Sequence, residues 1–244
     1  MYHFRSTHDP VDLAFTDRLG GVSAAPFDEL NLSVAGEDDE RAKAENHRLL
    51  LADFAPGARL ADLYQVHGRE VVLAEPAHLD AWSRPHADGI VTTSYDVVLM
   101  VRAADCVPVL LADADAGVIG AAHAGRQGMA LGVVPATVDR MRDLGAERIT
   151  AWIGPSICGR CYEVPEALRD EVASVEPASA ATTSWGTAAL DVAAGVRAQL
   201  VRAGVRVEDV GACTREHGDL YSYRRDGSGA GRQAGLIRLR RATA

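Results

Sequence analysis

One stretch, VVLMVRAADCVPVLLADADAGVIGAAHAGRQG from Val97 to Gly128, constrains the fold of this chain more than any other. Two apolar, β-leaning runs flank the polar turn Asp113-Ala114-Asp115-Ala116-Gly117, which is the layout of a hairpin. With the turn centred between Ala114 and Asp115, Cys106 and His123 stand directly opposite one another. Opposed residues share a face, with Cβ atoms about 4.5–5.5 Å apart. A thiol and an imidazole at that separation can bind one metal ion or work as nucleophile and base. Pro108 implies an edge strand or a bulge. A slip of one residue would send the pair to opposite faces.

The rest of the chain reads as strands mixed with helices. Residues 11–18 form a first strand that ends at Gly20-Gly21, and 22–34 is loop. Residues 36–54 read as a helix whose acidic start suits the macrodipole, with Ala42, Leu49 and Leu50 facing inward. Residues 62–74 have the pattern of a hairpin turning at His67-Gly68, and Ala87-Asp88-Gly89 turns the chain into a strand over 90–93. A helix is expected over 128–144, with Pro135 marking a kink or a later start. A strand at 148–153, a helix at 165–175 and a polar linker at 177–185 follow. Ala189, Val192, Val196 and Leu200 predict a helix over 187–203, stopped by Gly204. Strands at 205–212 and 234–239 close the chain. The mixture predicts an α+β fold with mixed β-sheets flanked by helices, in one domain over 1–244.

Composition narrows the function. A net charge of −9 argues against a nucleic-acid surface. Lys43 is the only lysine, and the other 24 of the 25 basic residues are arginine. That excludes a Walker P-loop and leaves little for Schiff-base chemistry, while arginine suits capture of phosphate or carboxylate. No apolar run reaches the roughly 18 residues of a membrane span, and MYHFRSTHDP lacks the layout of a signal peptide. Cytoplasmic residence is the expectation. There Cys106, Cys158, Cys161 and Cys213 are thiols or ligands in preference to disulfides.

Three residues stand out chemically. His67 and His123 precede small residues, in His67-Gly68 and His123-Ala124-Gly125, where a ligand can approach the backbone. With Cys106 they make a Cys-His-His set that suits a catalytic zinc, which keeps three protein ligands and one open position. The competing view makes Cys106 a buried small hydrophobe and the histidines ordinary core or surface groups. Cys158-Gly159-Arg160-Cys161 lacks a second cysteine pair, so a loop packed beside a pocket is favoured over structural metal or redox chemistry. Arg224, Arg225 and Arg232 flank the glycine-rich 227–231 segment and could clamp an anion. Asp88 and Asp105 are candidate orienting or general-base carboxylates, or simple turn caps.

Several motifs then point to one family. Asp17-Arg18-Leu19-Gly20-Gly21-Val22-Ser23, Leu30-Asn31-Leu32, Gln65-Val66-His67-Gly68, Ala87-Asp88-Gly89, Ala104-Asp105-Cys106-Val107-Pro108 and His123-Ala124-Gly125 occur in order. Ile153-Gly154-Pro155-Ser156-Ile157, Cys161-Tyr162-Glu163-Val164, Cys213-Thr214 and the 221–227 segment complete the set. Across nearly its whole length the chain resembles the YfiH-like family, once labelled polyphenol oxidase or laccase-like and now described as a purine nucleoside phosphorylase. The resemblance implies mixed sheets flanked by helices, akin to the cytotoxic necrotising factor catalytic domain, and a zinc site at His67, Cys106 and His123. It also implies phosphorolysis of adenosine, inosine and methylthioadenosine, with adenosine deamination. Some members are instead described as removing a misincorporated serine from a peptidoglycan precursor. Two departures stand out: Arg126-Gln127-Gly128 replaces the usual Trp-Arg-Gly, and Asn46-His47 replaces Asn-Arg, with Arg48 one place later.

The expectation is therefore a zinc enzyme for purine nucleosides and phosphate, acting as a monomer or weak dimer without nucleic-acid or membrane partners. Arg18 and the arginines of 224–232 would neutralise the anion. Copper is disfavoured, because multicopper oxidases need many histidines, commonly as His-X-His, and the chain has no such pair. The rival is a Cys106–His123 or zinc amidase acting on a cell-wall precursor. A binding module that retains the pocket without turnover is the third reading.

Overall fold

Long strands buried along their whole length, with alternate side chains turned to opposite faces, form the centre of the molecule. The computed structural model describes residues 1–95 and 97–241. One sheet carries β1 (Tyr2–His8), β2 (Val11–Thr16), β3 (Arg59–Asp62), β6 (Val97–Ala103) and β13 (Gln233–Leu239), in the order β1-β2-β13-β6-β3. The other carries β4 (Val71–Leu73), β5 (Gly89–Thr92), β7 (Val107–Asp113), β8 (Val118–Ala124), β9 (Thr150–Ile153) and β12 (Arg206–Asp209), in the order β12-β9-β7-β8-β5-β4. Both are mixed: β3–β6, β4–β5 and β9–β12 are parallel, and the remaining pairs antiparallel. A short hairpin joins β10 (Ala180–Thr182) to β11 (Ala188–Leu190).

Burial on both faces explains the nearly continuous apolar runs. Phe15, Leu99, Val101 and Ile237 of the first sheet meet Leu110, Ile119, Ala121 and Trp152 of the second. The alternate residues Val109, Leu111, Val118 and Ala122 point the other way. They meet Met129 of α2 (Arg126–Leu131), Val134, Val138 and Met141 of α3 (Val133–Asp143), Val172 of α4 (Glu166–Val175), and Val196 and Leu200 of α5 (Val192–Arg202). On the far side of the first sheet, Leu50 and Phe54 of α1 (Glu40–Phe54) cover Val98, Met100 and Leu236. Each buried Val, Leu, Ile, Phe or Met side chain contributes about 1.5–3 kcal/mol. The layers run helix, sheet, sheet, helices, an α+β architecture with mixed sheets.

Several sequence expectations need correction. The β7–β8 hairpin forms, but its register pairs Pro108 with His123 and Asp113 with Val118. Cys106 thus lies two residues from His123's partner. The shift is even, so thiol and imidazole keep the same face. Pro108 is in a central strand rather than an edge. The β9 ladder begins only at Val109, and Pro108 contributes its carbonyl to the Gly154 N–H at 3.0 Å. Residues 62–74 are not a hairpin, because β3 pairs with β6 and β4 with β5, in different sheets. The 128–144 helix begins at Arg126 and is interrupted at Gly132 (φ +84°), which places Pro135 in the first turn of α3.

Residues 188–190 form β11 instead of helix. Asp191 starts α5 by accepting the Ala194 N–H at 2.8 Å. Part of the supposed 177–185 linker is β10. Asp39 caps α1, so Glu37 and Asp38 precede that helix and Glu40 opens it, and its buried stripe is Lys43, Asn46, Leu50 and Phe54 rather than Ala42 and Leu49. Strand β1 carried no clear signal. Among the described residues no helix is long and apolar enough to cross a membrane.

Candidate active site

The chain passes from one sheet to the other through residues 63–70, between β3 and β4, and through 104–106, between β6 and β7. These two crossings deliver His67 and Cys106 beside the end of β8, which carries His123. Both hold unusual backbone: His67 has φ +60° and Asp105 has φ +87°. Asp88 fixes the first crossing. Its buried carboxylate accepts the N–H groups of Val66 (3.1 Å), His67 (3.1 Å) and Gly68 (2.7 Å). Asp105 is fixed from outside, accepting the Thr214 hydroxyl at 2.6 Å and the Arg224 N–H at 2.6 Å.

The Cys106 Sγ lies 3.7 Å from His67 Nε2, and one donor atom from each of His67, Cys106 and His123 lies within 4.8 Å of the others. His123 Nδ1 donates to Asp88 Oδ1 at 2.8 Å, which leaves Nε2 as a lone-pair donor. A carboxylate behind a ligating imidazole fixes its tautomer and raises its basicity. Gly125 gives the trio room: a Cβ there would meet His67 Cδ2 at 2.5 Å and Cys106 Sγ at 3.0 Å. Burial disfavours the Cys106 thiolate, but His123 and His67 outweigh it and bring the thiol well below its ordinary value. Burial likewise opposes charge on His123, yet Cys106 and Asp88 raise it. A soft anion and two imidazoles converging on one point suit a metal ion.

The trio faces a cavity of about 610 Å³. Arg102, Arg126, Arg224 and Arg232 line it, as do Tyr64, Tyr162, Tyr223 and Asp105. Two expected anion ligands are elsewhere. Arg18 lies over the Tyr221 ring and donates to the Asp28 carbonyl at 2.6 Å. Arg225 donates to the carbonyls of Thr214 (3.0 Å), His217 (3.2 Å) and Leu220 (2.7 Å), holding a loop together. Neither side chain lines the cavity. Arg48 pairs with Glu45 on the surface of α1.

Arg102 was missed by sequence reasoning. It is buried, ion-paired with Asp62 and bonded to the Leu32 carbonyl at 2.5 Å, while its Nη1 has no hydrogen-bond partner among the described residues. A single arginine inside the apolar run 97–104 was the available signal. Gln65 clamps its backbone through both amide atoms, at 2.7 and 2.8 Å. His47 accepts from Arg102 Nη2 at 3.2 Å, where burial and that cation lower it to about 4. The tyrosines carried no periodic or spacing signal.

The sequence profile of a family described as multi-copper polyphenol oxidoreductase laccase matches residues 12–240. The chain belongs to that family. Among its relatives, a Streptomyces coelicolor protein named purine nucleoside phosphorylase is 50% identical over 240 residues, covering 96% of this chain and 98% of that one. A Corynebacterium glutamicum protein of the same name is 42% identical over 235 residues, covering 94% and 95%. The crystal structure of a Neisseria meningitidis protein superposes with a TM-score of 0.87 at 30% identity, covering 98% and 99%. That of YfiH from Bacillus licheniformis gives 0.84 at 26%, covering 95% and 94%. The laccase-like family thus includes relatives whose name denotes phosphorolysis.

Proposed function

We propose that this chain is a zinc-dependent purine nucleoside phosphorylase, acting on adenosine, inosine and methylthioadenosine, with adenosine deaminase activity. One observation carries the reading: a three-donor metal set, four arginines and three tyrosines line a single cavity. A purine has π-faces for tyrosines, and phosphate or ribose hydroxyls have oxygens for arginine. The names of relatives at 42–50% identity agree with it.

His67, Cys106 and His123 would hold zinc, with Asp88 orienting His123 and Gly125 leaving space. Zinc, when bound, supplies Lewis acidity beside the substrate. Arg102, whose Nη1 has no partner among the described residues, and Arg126, Arg224 and Arg232 supply the charge that binds phosphate. Asp105 fixes the backbone of Arg224 as well as lining the cavity. In phosphorolysis a phosphate oxygen bonds to C1′ as the bond from C1′ to the purine nitrogen breaks, its electron pair leaving with the base. In deamination water adds at C6 and ammonia leaves. Zinc fits the donor set better than a multicopper centre, which needs more imidazoles than this cavity offers.

Incubation with adenosine and phosphate, with products separated by chromatography, tests this. Adenine with ribose 1-phosphate marks phosphorolysis, and inosine marks deamination. Turnover no greater than that of a Cys106→Ala chain overturns the proposal.

The chain of Cys106, His123 and Asp88 favours one alternative, a thiol amidase with Cys106 as nucleophile, acting on a cell-wall precursor. Chelation separates the two. Loss of activity with chelator and recovery with zinc supports the metal enzyme, whereas full amidase activity in chelator, with covalent trapping of Cys106, supports the thiol.

A further inference from the structure

We propose that Cys158, Cys161, Cys213 and Glu216 form a second metal site, a closed four-ligand zinc centre that staples the wall of the substrate cavity. One donor atom from each lies within 4.8 Å of all the others. Tetrahedral zinc with Zn–S bonds of about 2.3 Å requires neighbouring donors about 3.8 Å apart. Small rotations of the side chains close that difference.

The backbone is arranged for it. Cys158 and Cys161 end one tight turn, with the Cys161 N–H on the Cys158 carbonyl at 2.9 Å. Cys213 and Glu216 end a second turn of the same span, with the Glu216 N–H on the Cys213 carbonyl at 3.1 Å. The pattern is therefore Cys-x-x-Cys facing Cys-x-x-Glu, with a carboxylate in the place of a fourth thiolate. A bridge between Ser156 and Cys213 ties the turns together through bonds of 3.0 and 3.1 Å. The Cys158 N–H already points at Cys213 Sγ (3.5 Å), and Cys161 Sγ lies 3.4 Å from Glu216 Oε1. Arg160 lies 3.5 Å from the other Glu216 oxygen and offsets the excess negative charge. Three sulfurs with one carboxylate select zinc over the harder magnesium or calcium. A disulfide would use two of the thiols and leave the third and the glutamate without purpose.

The centre stands apart from the His67–Cys106–His123 set, and its four protein donors fill a tetrahedral shell. Its work is positional. Tyr162, next to Cys161, lines the cavity, and Thr214, next to Cys213, donates to Asp105 beside Cys106.

The test is the zinc content of full-length chains purified under reducing conditions, with zinc as the probe. Cys106→Ala is expected to retain one equivalent and Cys161→Ser to lose one relative to the unsubstituted chain. Should Cys161→Ser fail to fold, cobalt loading of Cys106→Ala reads the site directly: three thiolates give an intense thiolate-to-cobalt charge-transfer band, and Cys213→Ser in that background weakens it. Zinc is also expected to protect Cys158, Cys161 and Cys213 from alkylation. A Cys106→Ala chain without zinc, equal alkylation with and without zinc, or a disulfide among the three overturns the proposal. Failure of nucleoside turnover alone leaves this outcome unchanged, so the two readings fall separately.

Discussion

Among the described residues lie two clusters of sulfur and oxygen or nitrogen donors, and they are built in opposite ways. His67 and Cys106 sit on crossings between sheets, on or beside residues with positive φ, and with His123 they present three donors to a large cavity. Cys158, Cys161, Cys213 and Glu216 sit on two short turns bonded to one another and present four donors to one point. The first arrangement keeps a coordination position for a reactant; the second has no position to give. Strained backbone costs of order 1–3 kcal/mol per residue and persists only where its surroundings enforce it. At the first cluster that enforcement comes from Asp88 and from the bonds on Asp105.

The comparison breaks most readily at its reactive end. Cys106→Ala or His123→Ala removes a donor from the open set and should lower nucleoside turnover at least about a thousandfold. Circular dichroism should show the fold retained. Turnover that survives either change would mean that the trio is packing rather than machinery.

Arg102 sharpens the contrast between binding and folding. Arg102→Met removes the buried partner of Asp62, and should destabilise the chain by about 3 kcal/mol in urea unfolding, because it strands a buried carboxylate. Arg84, 2.8 Å from Asp62, keeps the loss toward the low end of such changes. Arg126→Ala should leave stability nearly unchanged and raise the KM for phosphate. Equal stability losses in the two would remove the distinction between an arginine that also holds the fold and one that only binds.

Orientation of the trio is expected to matter less than its donors. Asp88→Asn should reduce zinc affinity and turnover by about 10–100-fold, by weakening the hold on His123 and on the 66–68 turn. Gly125→Ala should act through His67, which the new methyl would displace, with a loss of up to about a hundredfold. Dialysis against graded zinc concentrations separates weakened binding from slowed chemistry.

How much of this was legible depends on range. The β7–β8 hairpin, α1, and the helix start at Pro165 follow from local signals: two apolar runs about a polar turn, an acidic helix start, and a proline at the head of a helix. The gathering of His67, Cys106 and His123 was legible only as a chemical set, because the crossings that assemble it are decided by long-range pairing. Residues 62–74 show why: β3 and β4 satisfy hairpin spacing, yet each finds a parallel partner in a different sheet. Arg18 and Arg225 read as anion ligands because charge is visible in sequence, whereas the carbonyls that capture them are not. Glu216 is inconspicuous in the sequence because a carboxylate is common at the surface, yet Cys213-Thr214-Arg215-Glu216 repeats the spacing of Cys158–Cys161 with an oxygen donor.

The smallest effect concerns pH and His47. Burial and the neighbouring Arg102 lower its pKa from 6.5 to about 4. An unfolded histidine takes up its proton near 6.5, so between those values the unfolded chain binds more protons than the folded one. Stability from this residue is therefore complete above about pH 6.5, declines as pH falls, and levels off below about 4. By about pH 5 the loss should reach about 2 kcal/mol. His47→Gln removes the titration, and the difference between its urea-unfolding free energy and that of the unsubstituted chain should change across this window and be flat outside it. Asp62 cannot mimic the effect, because its lowered carboxyl loses its contribution only below the ordinary carboxylate range. The cysteine-rich cluster contains no histidine, so in protein stripped of zinc Cys161→Ser should leave the slope in this window unchanged. A matching change of slope there would erase the distinction between a wall that titrates and one that is only stapled.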